Sequence, residues 1–218
     1  MSVRCLQKPK KSAKMQDKQT LSERKKSDIV AAAIQEFDSH GFQKTSMDQI
    51  AKTANVSKRT VYNHFSSKDA LFTEITTIMW EQALTATAYT YQKALSIEEQ
   101  LTAIAEQEMA LLKSTTFISV SRLIIAECLH NENTKQQTLA HIADTESGLN
   151  IWLKKATEDG RLVIADIDIA ATQFTGLLKS FAYWPQIIGF GEFPEQSKYQ
   201  QIIDSAVAMF LGQYLTKA

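Results

Sequence analysis

The chain has 218 residues, with 24 Lys and Arg against 24 Asp and Glu, and only 7 Gly, 3 Pro and 2 Cys. So few turn residues argue against a β-sandwich, a collagen-like chain or a Gly-rich nucleotide fold, and two cysteines argue against a disulfide scaffold. The neutral total hides an asymmetry: residues 1–68 carry 14 Lys and Arg against 6 Asp and Glu, and residues 69–218 carry 10 against 18, so nucleic acid is a candidate partner of the basic end.

Helical periodicity and capping residues predict an all-α chain of about nine helices. Residues 1–20 lack periodicity and are expected to form a flexible basic arm. A first helix is predicted from Ser22 to His40, ended by Gly41. Two short helices follow, Met47–Ala54 and Lys58 to His64 or Phe65, with Ser46 and Ser57 as N-caps and Asn55 in the turn between them.

Longer helices are predicted for the rest of the chain. The fourth is expected to begin after Ser67 and to run from Lys68 to about Ala94. The later helices are expected at Ser96 to about Lys113, Thr116 to about His130, about Thr134 to Glu158, Asp166 or Asp168 to Tyr183 (stopped by Pro185), and Glu195 to Leu215. The charge changes sign at the fourth helix, which predicts a domain boundary there: a basic arm at 1–20, a basic helix-turn-helix domain at 21–67 and a helical domain at 68–218.

The stretch 46–65, SMDQIAKTANVSKRTVYNHF, has the pattern of a helix-turn-helix. Apolar residues share one face of each short helix, and a small Ala51 lets the helices approach. The residues expected to hold the crossing are Ile50, Ala51, Ala54, Val56, Val61 and Phe65.

The outer face of the second short helix carries cations, hydroxyls, an amide and an aromatic ring but no acid. Such side chains suit the major groove, because Arg and Lys donate to guanine, a Thr methyl packs on thymine, and Tyr and His reach phosphates. Helix N-termini after Ser46 and Ser67 add N–H groups for phosphate. The predicted DNA-binding residues are Thr45, Ser46, Ser57, Lys58, Arg59, Thr60, Tyr62, Asn63, His64 and Lys68.

Three ordered motifs carry a family resemblance: A-x-x-x-F-x-x-x-G-F at 33–42, T-x-x-x-I-A with Thr45 or Ser46 ahead of Ile50, and V-S-x-x-T-x-Y-x-H-F-x-x-K-x-x-L at 56–71. On these, roughly residues 22–75 resemble the N-terminal domain of TetR (tetracycline-repressor-like) regulators. The resemblance implies an all-α homodimer whose N-terminal domain binds a palindromic operator and whose C-terminal domain binds a ligand. Arg59 departs from the many relatives with a small residue there, and is expected to add a base contact or to change which bases are read.

The C-terminal region resembles the AefR-like class of this family. The matching segments are RLIIAE at 122–127, the turn at 160–162 with Asp166 or Asp168, and AATQFTGLLKSFAYWPQIIG at 170–189.

The last two long helices carry broad apolar stripes, which fit either a four-helix dimer bundle or an ordinary monomer core. The resemblance favours the dimer. The predicted interface residues are Phe174, Leu178, Phe181, Ile203, Val207 and Phe210.

Aromatic residues of the C-terminal region either line a ligand pocket or fill the core. The predicted pocket residues are Trp80, Phe117, Trp152 and Phe174, for a small apolar or aromatic effector.

The leading interpretation is thus a ligand-responsive repressor, and the alternative is a helical enzyme or an adaptor without sequence-specific DNA binding. No catalytic pattern is recognisable, and no cofactor is expected. The nearest metal candidates are Glu127, Cys128, His130 and His141, but Cys128 and His130 lie two residues apart on a helix and point to different sides, so no metal site is predicted. Without a secretory signal or about 18 consecutive apolar residues, the chain is expected to be cytoplasmic, with no membrane partner.

Overall fold

A computed structural model of the chain describes residues 20–189 and 191–216. Within these residues the fold is all-α, as predicted, but it has eleven helices rather than about nine: α1 (Leu21–His40), α2 (Met47–Thr53), α3 (Lys58–His64), α4 (Lys68–Ala86), α5 (Ile97–Leu112), α6 (Thr115–His130), α7 (Glu132–Asp144), α8 (Gly148–Glu158), α9 (Ile167–Ala182), α10 (Trp184–Ile188) and α11 (Gln196–Tyr214). Apart from Thr20, the predicted arm at 1–20 lies outside the described residues.

Local capping determines the first three helices. Thr20 caps α1 in a reciprocal box with Glu23, so the helix begins one residue before the predicted Ser22. Ser46 and Ser57 cap α2 and α3 as predicted. Asn55 takes the left-handed conformation expected of it in the turn, with φ of 52°.

The prediction that α4 continues to about Ala94 is wrong, because α4 ends at Ala86. The next residues are rich in Thr and Tyr, which are weak helix formers, and their side chains find tertiary partners instead. The Tyr89 hydroxyl donates to Glu108, and the Tyr91 hydroxyl donates to Asp159 at 2.7 Å.

The single helix predicted at 134–158 is two helices, α7 and α8, and Ser147 caps the second. Gly148 then passes close to the α4 terminus: a Cβ atom there would lie 1.8 Å from the carbonyl oxygen of Thr87. Helix α9 ends at Ala182 with Tyr183 as its C-cap, which confirms the predicted end before Pro185. The sequence did not predict α10, in which Pro185 lies in the first turn, where a missing N–H costs nothing.

Two groups of buried side chains form the core. One group combines α1, α2, α3 and the first half of α4 with Val120, Leu123 and Ile124 of α6. The other combines α5, α8, α9 and α11 around Trp152 and Phe174. Since α4 and α6 both pack into the first group, both join the helix-turn-helix to the rest of the molecule.

Among the described helices none alone has the length and apolar character to span a membrane. Only α5 and α6 taken together reach that length and hydropathy, and they are bent by 71° where they meet.

Candidate DNA-binding surface and ligand cavities

Helices α2 and α3 cross over a buried apolar contact. Ile50 and Val61 have no exposed surface, and Ala51 and Phe65 are 5% exposed. The Val56 N–H donates to the Ala51 carbonyl at 3.0 Å and closes the turn. This packing fixes which face of α3 points outward.

The six residues predicted for the outer face of α3 divide into two sets. Lys58, Arg59, Tyr62 and Asn63 are exposed, whereas Thr60 and His64 are half-buried along one flank. The division follows from the 3.6-residue turn, because Val61 and Phe65 occupy the inner face beside that flank. Four side chains therefore form the outermost surface.

The two cations of this face differ in their surroundings. Lys58 forms an ion pair with Asp48 of α2 at 2.8 Å, and the hydrogen bond and charge of that carboxylate raise the pKa of Lys58. Arg59 has no hydrogen-bond or ion-pair partner among the described residues. Sequence reasoning found no acid on α3, but it missed Asp48, which a helix-turn-helix brings beside α3 from ten residues away.

The Thr45 side chain does not lie on the surface, contrary to the prediction that it contacts DNA. It is 3% exposed, and its hydroxyl donates to the carbonyls of Glu36 at 3.1 Å and Gly41 at 2.9 Å. Thr45 therefore holds the α1–α2 turn together.

The Lys68 ammonium, which was predicted to contact a phosphate, makes its hydrogen bonds within the chain. It donates to the carbonyls of Phe42, Gln43 and Thr45, at 2.5, 3.2 and 3.0 Å, and lies 4.5 Å from the centre of the Phe42 ring. An ammonium has three donors, so this set uses all of them. Lys68 fastens the start of α4 to the α1–α2 turn.

A second polar contact links this turn to α6, and no sequence pattern indicated it. The Gln43 amide donates to the Glu127 carboxylate at 3.1 Å, and Glu127 is 5% exposed. A buried carboxylate needs such a partner. Glu127 thus takes part in joining the helix-turn-helix to the body.

The four predicted pocket residues do not meet in one cavity. Phe174 has no exposed surface, Trp152 is 1% exposed, and the indole of Trp152 donates to Gln100 at 3.2 Å. Trp80 stacks on His141 with ring centres 3.7 Å apart. Of the four, only Phe117 lines a large cavity in the body, so the predicted set is wrong: Phe174 and Trp152 fill the core.

A central cavity of about 780 Å³ lies between α4, α5, α6, α7, α8 and α9. Its apolar wall includes Leu111, Phe117 and Leu149. The lining also carries polar and charged residues: Thr87, Glu108, Thr145, Glu146, Ser147, Asn150, Lys154, Asp168, Thr172, Thr175 and Lys179.

The predicted dimer stripe is also largely internal. Phe174, Leu178, Ile203, Val207 and Phe210 are at most 3% exposed and belong to the core of this chain. Each helix carries two neighbouring apolar stripes, and the sequence did not reveal which one faces inward.

A second apolar stripe lies beside the buried one on α9 and α11, and part of it is exposed. It includes Phe181, the one predicted interface residue at the surface (48% exposed), and Met209 (59% exposed). Between these helices runs a groove lined by Leu177, Phe181, Lys198, Gln201, Ile202, Ser205, Ala206 and Met209. We call it the α9–α11 seam. Gly176 and Gly212 lie within the same helices, and a Cβ at either would meet no atom within 4 Å.

Two family descriptions match the sequence. The description “Bacterial regulatory proteins, tetR family” matches residues 29–75, and “AefR-like transcriptional repressor, C-terminal domain” matches residues 99–216. The second match covers more than half of the chain and most of the helices that surround the central cavity.

Solved and curated relatives agree with these matches. A TetR family transcriptional regulator from Pseudomonas syringae pv. tomato str. DC3000 is 38% identical, with a TM-score of 0.79 over 91% of this chain and 100% of that chain. The uncharacterized HTH-type transcriptional regulator YhgD of Bacillus subtilis (strain 168) is 30% identical over 61% of this chain and 66% of its own length. A protein of Escherichia coli (strain K12) named “Probable acrEF/envCD operon repressor” is 40% identical over 25% of this chain and 23% of its own length. The matches therefore span less than two thirds of the two curated relatives.

Proposed function

This chain belongs to the TetR family of bacterial transcriptional regulators, with an AefR-like C-terminal domain, and from that membership we propose a cytoplasmic homodimer that represses from a palindromic operator until a small molecule binds it. Residues 21–67 read the DNA, and residues 68–218 bind the effector and the second copy. The function is binding and switching, with no chemical step. The outward face of α3, with Arg59 free of partners among the described residues, carries the proposal.

We propose that α3 lies in the major groove. Arg59 would donate to a guanine edge, and Asn63 and Thr60 would read neighbouring bases. Tyr62, His64, Ser46 and Ser57 would position the helix on the phosphates. Lys58 adds positive charge, reduced by its exposed partner Asp48. Thr45 and Lys68 contribute indirectly, because they hold the α1–α2 turn.

We propose that the α9–α11 seam is the dimer interface. Two of its apolar side chains, Phe181 and Met209, are exposed in one chain, and the two helical glycines leave room for a close approach by another helix. Glycine inside a helix costs about 1 kcal/mol relative to alanine, so an interface that needs it explains its presence. A two-fold dimer places two recognition helices on two half-sites, about 34–36 Å apart.

The central cavity is the proposed effector site. Its walls carry hydroxyls, an amide and charges of both signs beside an apolar patch, which favours a ligand with several hydrogen-bonding groups and an apolar part. This differs from the apolar or aromatic effector expected from the sequence, because two of the four aromatic residues on which that expectation rested, Trp152 and Phe174, lie in the core.

Helices α4 and α6 are placed to transmit the signal. Ala83 and Phe117 line the cavity, while Ile75 and Ile124 of the same two helices pack in the DNA-binding core. A ligand that shifts either helix changes the position of α3. Coupling is reciprocal, and a tenfold loss of operator affinity requires about 1.4 kcal/mol of differential binding.

Genome-wide footprinting in the native cell tests this function. The wild-type chain should protect few sites, each with two-fold symmetry, and deleting its gene should raise transcription beside them. Arg59→Ala should protect those sites more weakly, because one base contact in each half-site is lost. Lys155→Ala, which removes an exposed charge on α8, is the matched control and should keep them. Protection spread evenly over the genome, or unchanged with Arg59→Ala, would contradict the proposal.

A further inference from the structure

A second cavity, of about 470 Å³, lies between α1, α4 and α6, on the side of the DNA-binding domain. We call it the α1 cleft. Its floor is made by the buried side chains of Val30, Ile75 and Val120, and its walls by Ile34, Met79 and Phe117. The volume lies in the range of small-molecule sites, and the apolar lining with one ring and one thioether suits an aromatic guest.

Of the three charges at the mouth of the cleft, two form an ion pair and the third is exposed to solvent. Lys26 pairs with Glu74 at 2.5 Å, and the Glu23 carboxylate accepts the Thr20 N–H at 2.6 Å. Glu23 lies in the exposed first turn of α1, outside the apolar interior of the cleft. An ionised guest in that interior would lose its hydration without a charged partner beside it, which is costly. The cleft therefore favours an uncharged molecule.

We propose that the α1 cleft is a second small-molecule site, specific for an uncharged, mainly aromatic compound. It goes beyond the proposed effector site, because the central cavity has polar and charged walls and shares only Phe117 with the cleft. None of the residues lining the cleft belongs to the α9–α11 seam, so dimerisation through the seam leaves it accessible.

The position of the cleft gives an occupant influence over DNA binding. One wall is α1, which packs with α2 and α3, and the other walls are α4 and α6. A bound molecule would contact all three helices and so stabilise one arrangement of them. Phe117 separates the cleft from the central cavity, so each ligand changes the wall of the other's site, and the two affinities are coupled reciprocally. The effect on operator affinity rests on the proposed function, but binding itself does not.

The test is a fluorescence titration of the full chain with N-phenyl-1-naphthylamine, an uncharged aromatic dye that brightens in apolar surroundings. Ala31→Phe fills the cleft from an exposed position on α1, and Gln82→Phe fills it from α4. Thr172→Phe fills the central cavity, and Ala140→Phe adds a ring on α7 outside both. Thermal unfolding of each variant shows which ones fold.

Saturable binding by the wild type, weakened about tenfold or more by the folded cleft variants and unchanged by Thr172→Phe and Ala140→Phe, is the expected result. No saturable binding, or binding removed by Thr172→Phe but kept by both cleft variants, would overturn the proposal. Operator affinity without dye is measured in parallel. If it stays intact while dye binding fails, the second site is refuted and the proposed function stands.

Discussion

Arg59 and Lys68 are both basic residues of the helix-turn-helix region, yet they have different surroundings. Arg59 projects from α3 without a described partner, whereas the Lys68 ammonium is enclosed by three carbonyls. The caps at Ser46 and Ser57 and the turn at Asn55 were predictable, because each depends on neighbours within a few residues. The burial of Thr45 and the hydrogen bonds of Lys68 depend on contacts with α1 and the α1–α2 turn. Sequence spacing does not reveal such contacts.

Arg59→Ala should weaken operator binding by about 1–3 kcal/mol and relax the preference at one base pair of each half-site, because a bidentate base contact is lost. Titration of the operator and its single-base variants checks this. Lys155→Ala is the control for the loss of one positive charge. Equal weakening by both variants would show that Arg59 supplies charge rather than base recognition.

Lys68→Gln should lower the free energy of unfolding by about 1.5–3 kcal/mol, because a charged donor to three carbonyls is replaced. Urea unfolding measures this. The salt dependence of DNA binding should keep its slope, since the ammonium lies against the α1–α2 turn and not at a phosphate. A slope reduced by about one unit at unchanged stability would restore the phosphate contact first expected for Lys68.

At the scale of elements, two features were least predictable from the sequence: the end of α4 and the break between α7 and α8. Asp159 binds Lys93 and Tyr91 and so ties residues 91–93 to the end of α8. Gly148 brings the start of α8 against the backbone of Thr87. Local periodicity favours continued helices at both places, but these tertiary contacts favour the breaks.

Asp159→Asn should destabilise the fold at neutral pH and reduce its sensitivity to acid. Hydrogen bonds from Lys93 and then Tyr91 hold the pKa of Asp159 below its usual value. A carboxyl with a lowered folded-state pKa contributes stability above its unfolded pKa, and this contribution is lost as the pH falls through the folded-state pKa. Unfolding midpoints from pH 7 down to pH 3 should therefore converge for wild type and variant. Asp38→Asn, on the exposed face of α1, is the control, and a constant gap across this pH range would contradict the assignment.

Gly148→Ala should destabilise the C-terminal domain strongly, because the added methyl would lie 1.8 Å from a backbone oxygen that cannot rotate away. The unfolding temperature should fall, and the central cavity, which is lined by Thr87 and Ser147 beside this contact, should change shape. An unchanged unfolding temperature would show that α8 does not approach α4 this closely in solution.

At the scale of the whole molecule, the sequence predicted an all-α regulator with an N-terminal helix-turn-helix, and the fold and the comparisons confirm both. It did not predict which side of α9 and α11 faces outward. Helical spacing places two apolar stripes beside each other, and only packing against α5 and α8 shows that the Phe174–Phe210 stripe is internal. Phe181 and Met209, rather than Phe210, are therefore the residues proposed for the dimer interface.

Phe181→Asp and Met209→Asp should give folded monomers, because each places an exposed charge in the α9–α11 seam. Phe210→Asp should unfold the chain instead, because it buries a carboxylate without a partner. Light scattering and circular dichroism together separate these results. A wild-type monomer at micromolar concentration, or dimers that survive both seam variants, would refute the interface.

The most direct test of the central claim is selection of duplexes from a random DNA pool by the purified wild-type chain, followed by sequencing. A dimer that presents two copies of α3 predicts enrichment of an inverted repeat, with half-site centres separated by about one helical turn or a multiple of it. The folded Phe181→Asp monomer should select at most a single half-site, and Arg59→Ala should relax one position in each half. Enrichment of no sequence, or of an inverted repeat unaffected by Arg59→Ala, would contradict recognition of an operator by this face of α3.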